Sequence, residues 1–222
     1  MTDIKNSVAK SSVAPDVLIR LAAFLSQIPG IGPKSATRFA MHLLQWPSEL
    51  LQEFGQTIAN IPKSVTRCSF CNVISQTDPC SICADMQRDM SHILIVGNSL
   101  DVYKIEDLGL YKGLYFVLDV EDNGVFNIDK QEDKQLVKKL TQRVCALTSK
   151  LRKPIEITFG IGMSMQTQAL MLEIKQRLLE KCKKYPPKFY RLAIGLSAGA
   201  GIDFADAYTL KTAIINKQPV ED

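Results

Sequence analysis

The stretch "CSFCNVISQTDPCSIC" places four cysteines at C-x2-C-x8-C-x2-C: Cys68, Cys71, Cys80 and Cys83. Each C-x2-C pair closes a short turn that aims two sulfurs at one point. Two such turns joined by a loop let four thiolates converge on a tetrahedral ion, with metal–sulfur bonds of about 2.3 Å for zinc. Four sulfurs leave no position for water, so the ion would be structural and not catalytic. Asp78-Pro79 suits a chain reversal ahead of the second pair. The segment is too short to bury a core of its own. Metal binding must therefore supply folding free energy, on the order of 10 kcal/mol. An unmetallated loop, disulfides and an iron–sulfur cluster are the competing uses of this spacing. The expectation is one structural Zn2+ per chain.

A second candidate is "IPGIGPKSATR", from Ile28 to Arg38. A nucleotide P-loop needs G-x-x-x-x-G-K-[ST] after a strand, and a dinucleotide fingerprint also needs a preceding strand. Here the preceding segment is helical. Helix, G-x-G turn, helix reads as a helix–hairpin–helix. Gly30 and Gly32 let the backbone approach a phosphate, and the first amides of the following helix point at it. Lys34 and Arg38 lie four residues apart, on one side of that helix. Gly30, Gly32, Lys34 and Arg38 are thus candidate contacts to a nucleic-acid backbone, which would position without reading sequence. The competing reading is a plain helical hairpin with solvated cations. His42 is given no role.

The elements that would hold these residues follow from apolar spacing. Val17, Leu18, Leu21, Ala22, Leu25 and Ile28 recur at helical period, after Pro15 at a first turn. Gly32 can cap a second helix that begins at Pro33, with Ala36, Phe39, Ala40, Leu43 and Leu44 inward. A third covers about 48–60, with Leu50, Leu51, Phe54 and Ile58 inward. After the cysteines the texture changes. "HILIVGN", "GLYFVLDV", "VFNID", "PIEITFGIG" and "FYRLAIGL" read as strands. They alternate with helices at "SLDVYKIEDLG", 130–150, 164–184 and 203–216. In the helix at 130–150, Leu136, Val137, Leu140, Val144 and Leu147 face inward. Such alternation predicts a mostly parallel sheet with helices on its faces. The expected fold class is α+β and multi-domain. A tail at 1–14 precedes a helix–hairpin–helix at 15–62, a four-cysteine motif at 63–90, an α/β domain at 91–185 and a strand–helix segment at 186–222.

Composition is that of a globular chain: 46% hydrophobic and 23% charged over 222 residues. No apolar run is long enough for a membrane span, and the first residues lack the apolar core of a signal peptide. The cytoplasm is therefore the expected compartment. There, Cys145 and Cys182, standing alone in helical patterns, are expected reduced and buried. Net charge is +4, which permits a polyanionic partner without demanding one. Residues 173–191 carry seven Lys/Arg against two Asp/Glu; a solvated helix face is the simplest account.

The order of "IPGIGPKSATRFAMHLL", the four-cysteine motif, "HILIVGNSLDVYKIEDLGLYKGLYFVL" and "RLAIGLSAGAGIDFADAYTLKTAI" resembles the bacterial RecR family of recombination mediators over roughly residues 16–216. The resemblance implies a Toprim fold for the α/β domain, no catalysis, and a homo-tetramer or dimer that closes like a ring on single-stranded or duplex DNA without regard to sequence. It implies RecO-like partners, in many bacteria RecF-like ones, and a role in loading RecA onto single-stranded DNA. Lys34 and Arg38 fall where the family's DNA-contacting basic residues lie.

This chain departs from the Toprim pattern. Gly97, Asn98, Ser164 and Gln166 stand where metal-holding carboxylates would be expected, and a magnesium site needs clustered carboxylates. Asp119, Glu121 and Asp122 follow a different strand and read as an acidic surface loop. A metal-dependent nuclease or primase is the alternative these departures disfavour. An adaptor without DNA binding is the alternative that Lys34 and Arg38 disfavour.

Overall fold

The computed structural model describes residues 14–120, 131–162, 164–193, 195–196, 199 and 201–216. The expected tail, apart from Ala14, lies outside them. So do Glu121, Asp122 and the short strand at "VFNID". The chain divides into two compact units, Met1–Ser64 and Val65–Asp222.

The first unit is helical: α1 (Asp16–Leu25), α2 (Pro33–Leu43) and α3 (Ser48–Ser64). Pro15 occupies the N-cap of α1; Gly32 caps α2, and Pro33 opens it. The buried centre is made of small side chains. Ala22, Ala36 and Ala40 pack together, flanked by Leu21, Leu25 and Ile31. Alanines let two helices approach closely, so this hairpin needs little volume to hold it. The expected inward stripes are only partly realised. Val17, Ile28, Phe39, Leu44, Leu50, Phe54 and Ile58 are exposed, and α3 buries no residue. Spacing places these side chains on one helix face, but three short helices offer too little surface to cover them.

The second unit contains β1 (Thr66–Arg67), β2 (Ile74–Ser75), α4 (Ser81–Ala84), β3 (Asp89–Val96), α5 (Ser99–Asp107), β4 (Gly113–Val117), α6 (Gln131–Leu151), β5 (Glu156–Gly160), α7 (Met165–Lys181), β6 (Lys188–Arg191), a 3-10 turn at Ile202–Phe204 and α8 (Ala207–Ile215). The main sheet has the order β4-β3-β5-β6, and every pairing is parallel. This mixed α/β architecture is Toprim-like, as expected. The last strand and helix are shorter than the apolar pattern suggested. Asp206 accepts from the Tyr208 and Thr209 amides, both at 2.9 Å, and so starts α8 at Ala207.

Successive strand residues point to opposite faces, and β3 shows what each face meets. Ile93 and Ile95 join Phe116, Val137, Leu140, Val144, Leu170, Ile174 and Leu178 in the cluster beneath α6 and α7. Leu94 and Val96 join Tyr115, Val117 and Val102 of α5, together with Cys68, Cys71, Val73 and Cys80. The four-cysteine segment is therefore part of the second apolar layer. Each fully buried Ile, Leu or Phe here contributes about 1.5–3 kcal/mol relative to exposure.

One cysteine expectation is corrected. Cys145 on α6 and Cys182 at the end of α7 form a disulfide, with Cα atoms 5.3 Å apart. Each helix was legible from its spacing, but the packing of α6 against α7 that brings the two sulfurs together was not.

Candidate metal centre and nucleic-acid interface

The metal centre is built from two knuckles. In the first, β1 and β2 pair antiparallel, Thr66 with Ser75 and Arg67 with Ile74. The Cys68 amide donates to the Val73 carbonyl, and the Asn72 amide to the Cys68 carbonyl, both at 2.9 Å. Asn72 takes the left-handed conformation, φ +66°, which Asn tolerates better than most residues. In the second knuckle, Cys80 caps α4, and its sulfur accepts from the Cys83 amide at 3.4 Å. Asp78, ahead of a cis Pro79, accepts from the Ser69 amide at 2.7 Å and links the two knuckles.

These turns bring all four sulfurs within 4.8 Å of one another. Cys71 and Cys80 sulfurs lie 3.6 Å apart. Zinc–sulfur bonds of about 2.3 Å would space the corners of a tetrahedron about 3.8 Å apart, so the donor set fits zinc. Its electrostatics point the same way. Contact with the Cys80 and Cys83 sulfurs, then burial, pushes the Cys71 thiol far up. Contact with Cys71 and Cys83 draws Cys80 far down. Four crowded thiolates repel one another, and a divalent cation at their centre relieves that repulsion. Cys68, Cys71, Cys80 and Cys83 hold one structural zinc, whose role is to fold the segment.

The segment is also bonded to the sheet. The Val117 amide on the outer side of β4 donates to the Cys71 carbonyl at 2.9 Å. Asn72 Nδ2 returns a bond to the Val117 carbonyl at 3.1 Å. Ile74 is clipped to α5 through the Ser99 hydroxyl at 3.0 Å and the Tyr103 hydroxyl at 2.6 Å. Arg88, at the end of the segment, forms a fork with Glu106. The spacing of the cysteines announced the ligands. It gave no sign of Asn72, Arg88 or the α6 side chains that reach the site.

The structure also places the positions considered for a second metal. Asn98 and Ser164 act as helix caps. Asn98 accepts from the Asp101 amide at 3.0 Å and its own amide bonds the Asp101 carboxylate. Ser164 makes the corresponding pair with Thr167. A Cβ at Gly97 would lie 3.6 Å from that Asp101 oxygen, and Gln166 is exposed on the first turn of α7. Asp119 forms an ion pair with Arg67 and accepts from Asn72 at 3.3 Å. It is tied to the zinc segment and is not a free surface carboxylate.

In the helical unit, the two glycines of the G-x-G turn differ. Gly30 has φ +84°, a conformation that strains any side chain. Gly32 has φ −75° and ψ 164°, with nothing near the place a Cβ would take; any residue could adopt it. As an N-cap it supplies no side-chain acceptor, so the first amides of α2 have none from their cap. Lys34 and Arg38 are both exposed, α2 has no acidic residue in its first turn, and the Arg38 guanidinium lies 5.9 Å from the centre of the Phe39 ring.

Two stretches of the chain match known family models. Residues 18–61 match the family described as "RecR, helix-hairpin-helix", and residues 65–85 match the RecR four-cysteine zinc finger domain. Relatives named Recombination protein RecR include one from Chlamydia trachomatis serovar D, 34% identical over 90% of this chain and 94% of its own. One from Lactobacillus johnsonii is 30% identical over 90% of this chain and 96% of its own. One from Staphylococcus aureus is 30% identical over 91% and 97%. Two RecR domains matched in order, with relatives 30–34% identical over about 90% of its length, make this chain a member of the RecR recombination-protein family.

Proposed function

We propose that this chain is a non-enzymatic, cytoplasmic DNA-binding mediator of recombination and repair. It closes as a homo-oligomeric ring, a tetramer or dimer, on single-stranded or duplex DNA. With RecO-like and RecF-like partners it helps load RecA onto single strands. The observation that carries the reading is the start of α2. Exposed Lys34 and Arg38 lie on the helix whose first amides have no cap acceptor, after a turn in which Gly30 takes a positive φ. Together they make a phosphate site, and such contacts are indifferent to base sequence.

Assembly is supported by the exposed apolar side chains of the helical unit, Val17, Phe24, Phe54, Ile58 and Ile61 among them, which a second copy would cover. The absence of catalysis is supported by the cap duties of Asn98 and Ser164 and by the pairing of Asp119 with Arg67. Metal-dependent phosphoryl transfer needs carboxylates free to hold ions.

Salt-titrated binding to single-stranded and duplex DNA tests the reading. The variant with Lys34→Glu and Arg38→Glu should bind far more weakly. Each lost phosphate contact should reduce the salt slope by about 0.7 on single strands or 0.9 on duplex. Unchanged affinity and slope would remove the hairpin as the DNA surface. Metal-dependent cleavage by the purified protein, abolished by Asp119→Asn, would overturn the non-enzymatic part.

A further inference from the structure

The zinc centre has a neighbour far outside its motif. Arg143 lies on α6, 60 residues from Cys83. Its Nη2 donates to the Cys83 sulfur at 3.3 Å, and its Nη1 donates to the Tyr115 carbonyl of β4 at 3.0 Å. One turn earlier on the same helix, Lys139 Nζ donates to the Cys68 carbonyl at 3.0 Å. Two cations spaced four apart share one helix face, and each meets a different ligand residue.

A divalent ion with four thiolates carries a net charge of about −2. Its excess negative charge resides on sulfur, and a nearby N–H from a cation is the contact that relieves it. Cys83 is the ligand most in need of such a contact. Cys68, Cys71 and Cys80 are buried, whereas Cys83 is partly open to solvent. It is therefore the ligand that water, a competing chelator or an alkylating reagent reaches first. Arg143 is suited to hold it because a planar guanidinium can anchor one nitrogen on a fixed carbonyl while aiming the next at sulfur.

We propose that Arg143 is an outer-sphere partner of the zinc centre: its bond to the Cys83 thiolate governs how firmly that ligand, and with it the ion, is retained. It is a positioning residue that acts through Cys83. The inference rests on the four-cysteine zinc reading. The rival account is that Arg143 only clasps the edge of β4 through Tyr115.

The test uses the full-length, zinc-loaded protein. Zinc transfer to an excess of a colorimetric chelator is timed for wild type, for Arg143→Met, and for Lys138→Met, an exposed position on the same helix. Arg143→Met should lose zinc about 10- to 100-fold faster, the usual effect of removing an outer-shell partner. Lys138→Met should match wild type. Cobalt(II) in place of zinc supplies a readout that a mere clasp would not move. Without the Arg143 donor, the sulfur electrons rise in energy, so the thiolate-to-cobalt band should move to longer wavelength. The ligand-field bands should keep their tetrahedral intensity. If Arg143→Met does not fold, Arg143→Gln serves, since its neutral amide can still donate to Tyr115 while the cation is gone. Release rate and charge-transfer band unchanged in a folded variant would overturn the proposal and leave the clasp. Wild-type protein without zinc by elemental analysis would overturn the metal reading itself, and the proposal with it.

Discussion

The backbone amide of Val117 donates to the carbonyl of Cys71 at 2.9 Å, so a zinc ligand residue sits where the next strand of the sheet would otherwise pair. Asn72 Nδ2 completes the exchange on the Val117 carbonyl. Edge strands that keep free amides and carbonyls invite unwanted pairing, and here the zinc segment occupies them. Asn72→Ala should cost about 1–3 kcal/mol, because it leaves a buried carbonyl unpaired and puts Ala at φ +66°. Asn72→Gly keeps the conformation and loses only the side-chain bonds to Val117 and Asp119, so it should cost less. Urea unfolding of the zinc-loaded proteins measures both. A loss below about 0.5 kcal/mol for each, the lower end of a hydrogen bond's net worth, would show that this pairing adds little to stability.

Removal of zinc should be felt in the sheet and not only in the finger. Cys68, Cys71 and Cys80 share an apolar cluster with Leu94, Val96 and Tyr115. Elemental analysis should find about one zinc per chain. Cys80→Ser should lower the melting temperature sharply or abolish soluble protein, since structural zinc is folding free energy. Amide exchange after chelation should show the Val117 amide deprotected. Protection of Val117 that survives zinc loss would argue against this coupling.

The Arg88–Glu106 pair predicts a direction with pH. Burial pushes the Glu106 carboxyl up, but the Arg88 fork and the Tyr115 hydroxyl outweigh it and hold the group below its ordinary 4.5. A depressed carboxyl stabilises the fold above its unfolded value. That contribution is lost as pH falls through the folded one. The stability gap between wild type and Glu106→Gln should therefore be widest near neutrality and shrink below about pH 4.5. Comparing the two proteins at each pH cancels the protonation of zinc thiolates, which both share. A gap that grows in acid would contradict the assignment.

The Cys145–Cys182 bond closes a loop with a sequence separation of 37. Loop-closure entropy for that length is about 3–4 kcal/mol. The variant with both cysteines replaced by Ala should melt at a lower temperature than wild type. In denaturant with a chelator and no reductant, four thiols should react; six should react after reduction. Six reactive thiols before reduction would show the pair to be open.

Much of this was legible in the sequence, and the remainder has a common cause. The C-x2-C pairs specify a sulfur cluster because two residues on a tight turn can point only one way. Leu94 and Ile95 belong to uninterrupted apolar strands, and such runs imply a sheet covered on both faces. The sequence could not say that the cover on one face is partly the cysteine segment, because that depends on how Val117 meets Cys71, far apart along the chain. Nothing in the sequence marked Arg143, and Asp119 read as part of an acidic surface loop, for the same reason. Their partners, Cys83 and Arg67, are distant in sequence. Phe54 and Ile58 kept the right period on α3 yet stay exposed. Period tells which side is apolar, not whether anything covers it.

Gly32 carries a consequence for the hairpin's independence. Its backbone would accept any residue, and there is room for a side chain, so sterics do not explain a glycine there. Ser or Asp at an N-cap would improve the free helix by about a few tenths of a kcal/mol, and Asp would add its charge to the favourable end of the helix. Either would also occupy the amides that a phosphate would otherwise meet. Gly32→Asp should therefore move two properties in opposite directions, a more heat-resistant hairpin and a weaker grip on DNA. On the proposed DNA-binding reading, self-sufficiency and ligand affinity compete at this one position, and glycine would leave the last stabilising contact of α2 to the phosphate.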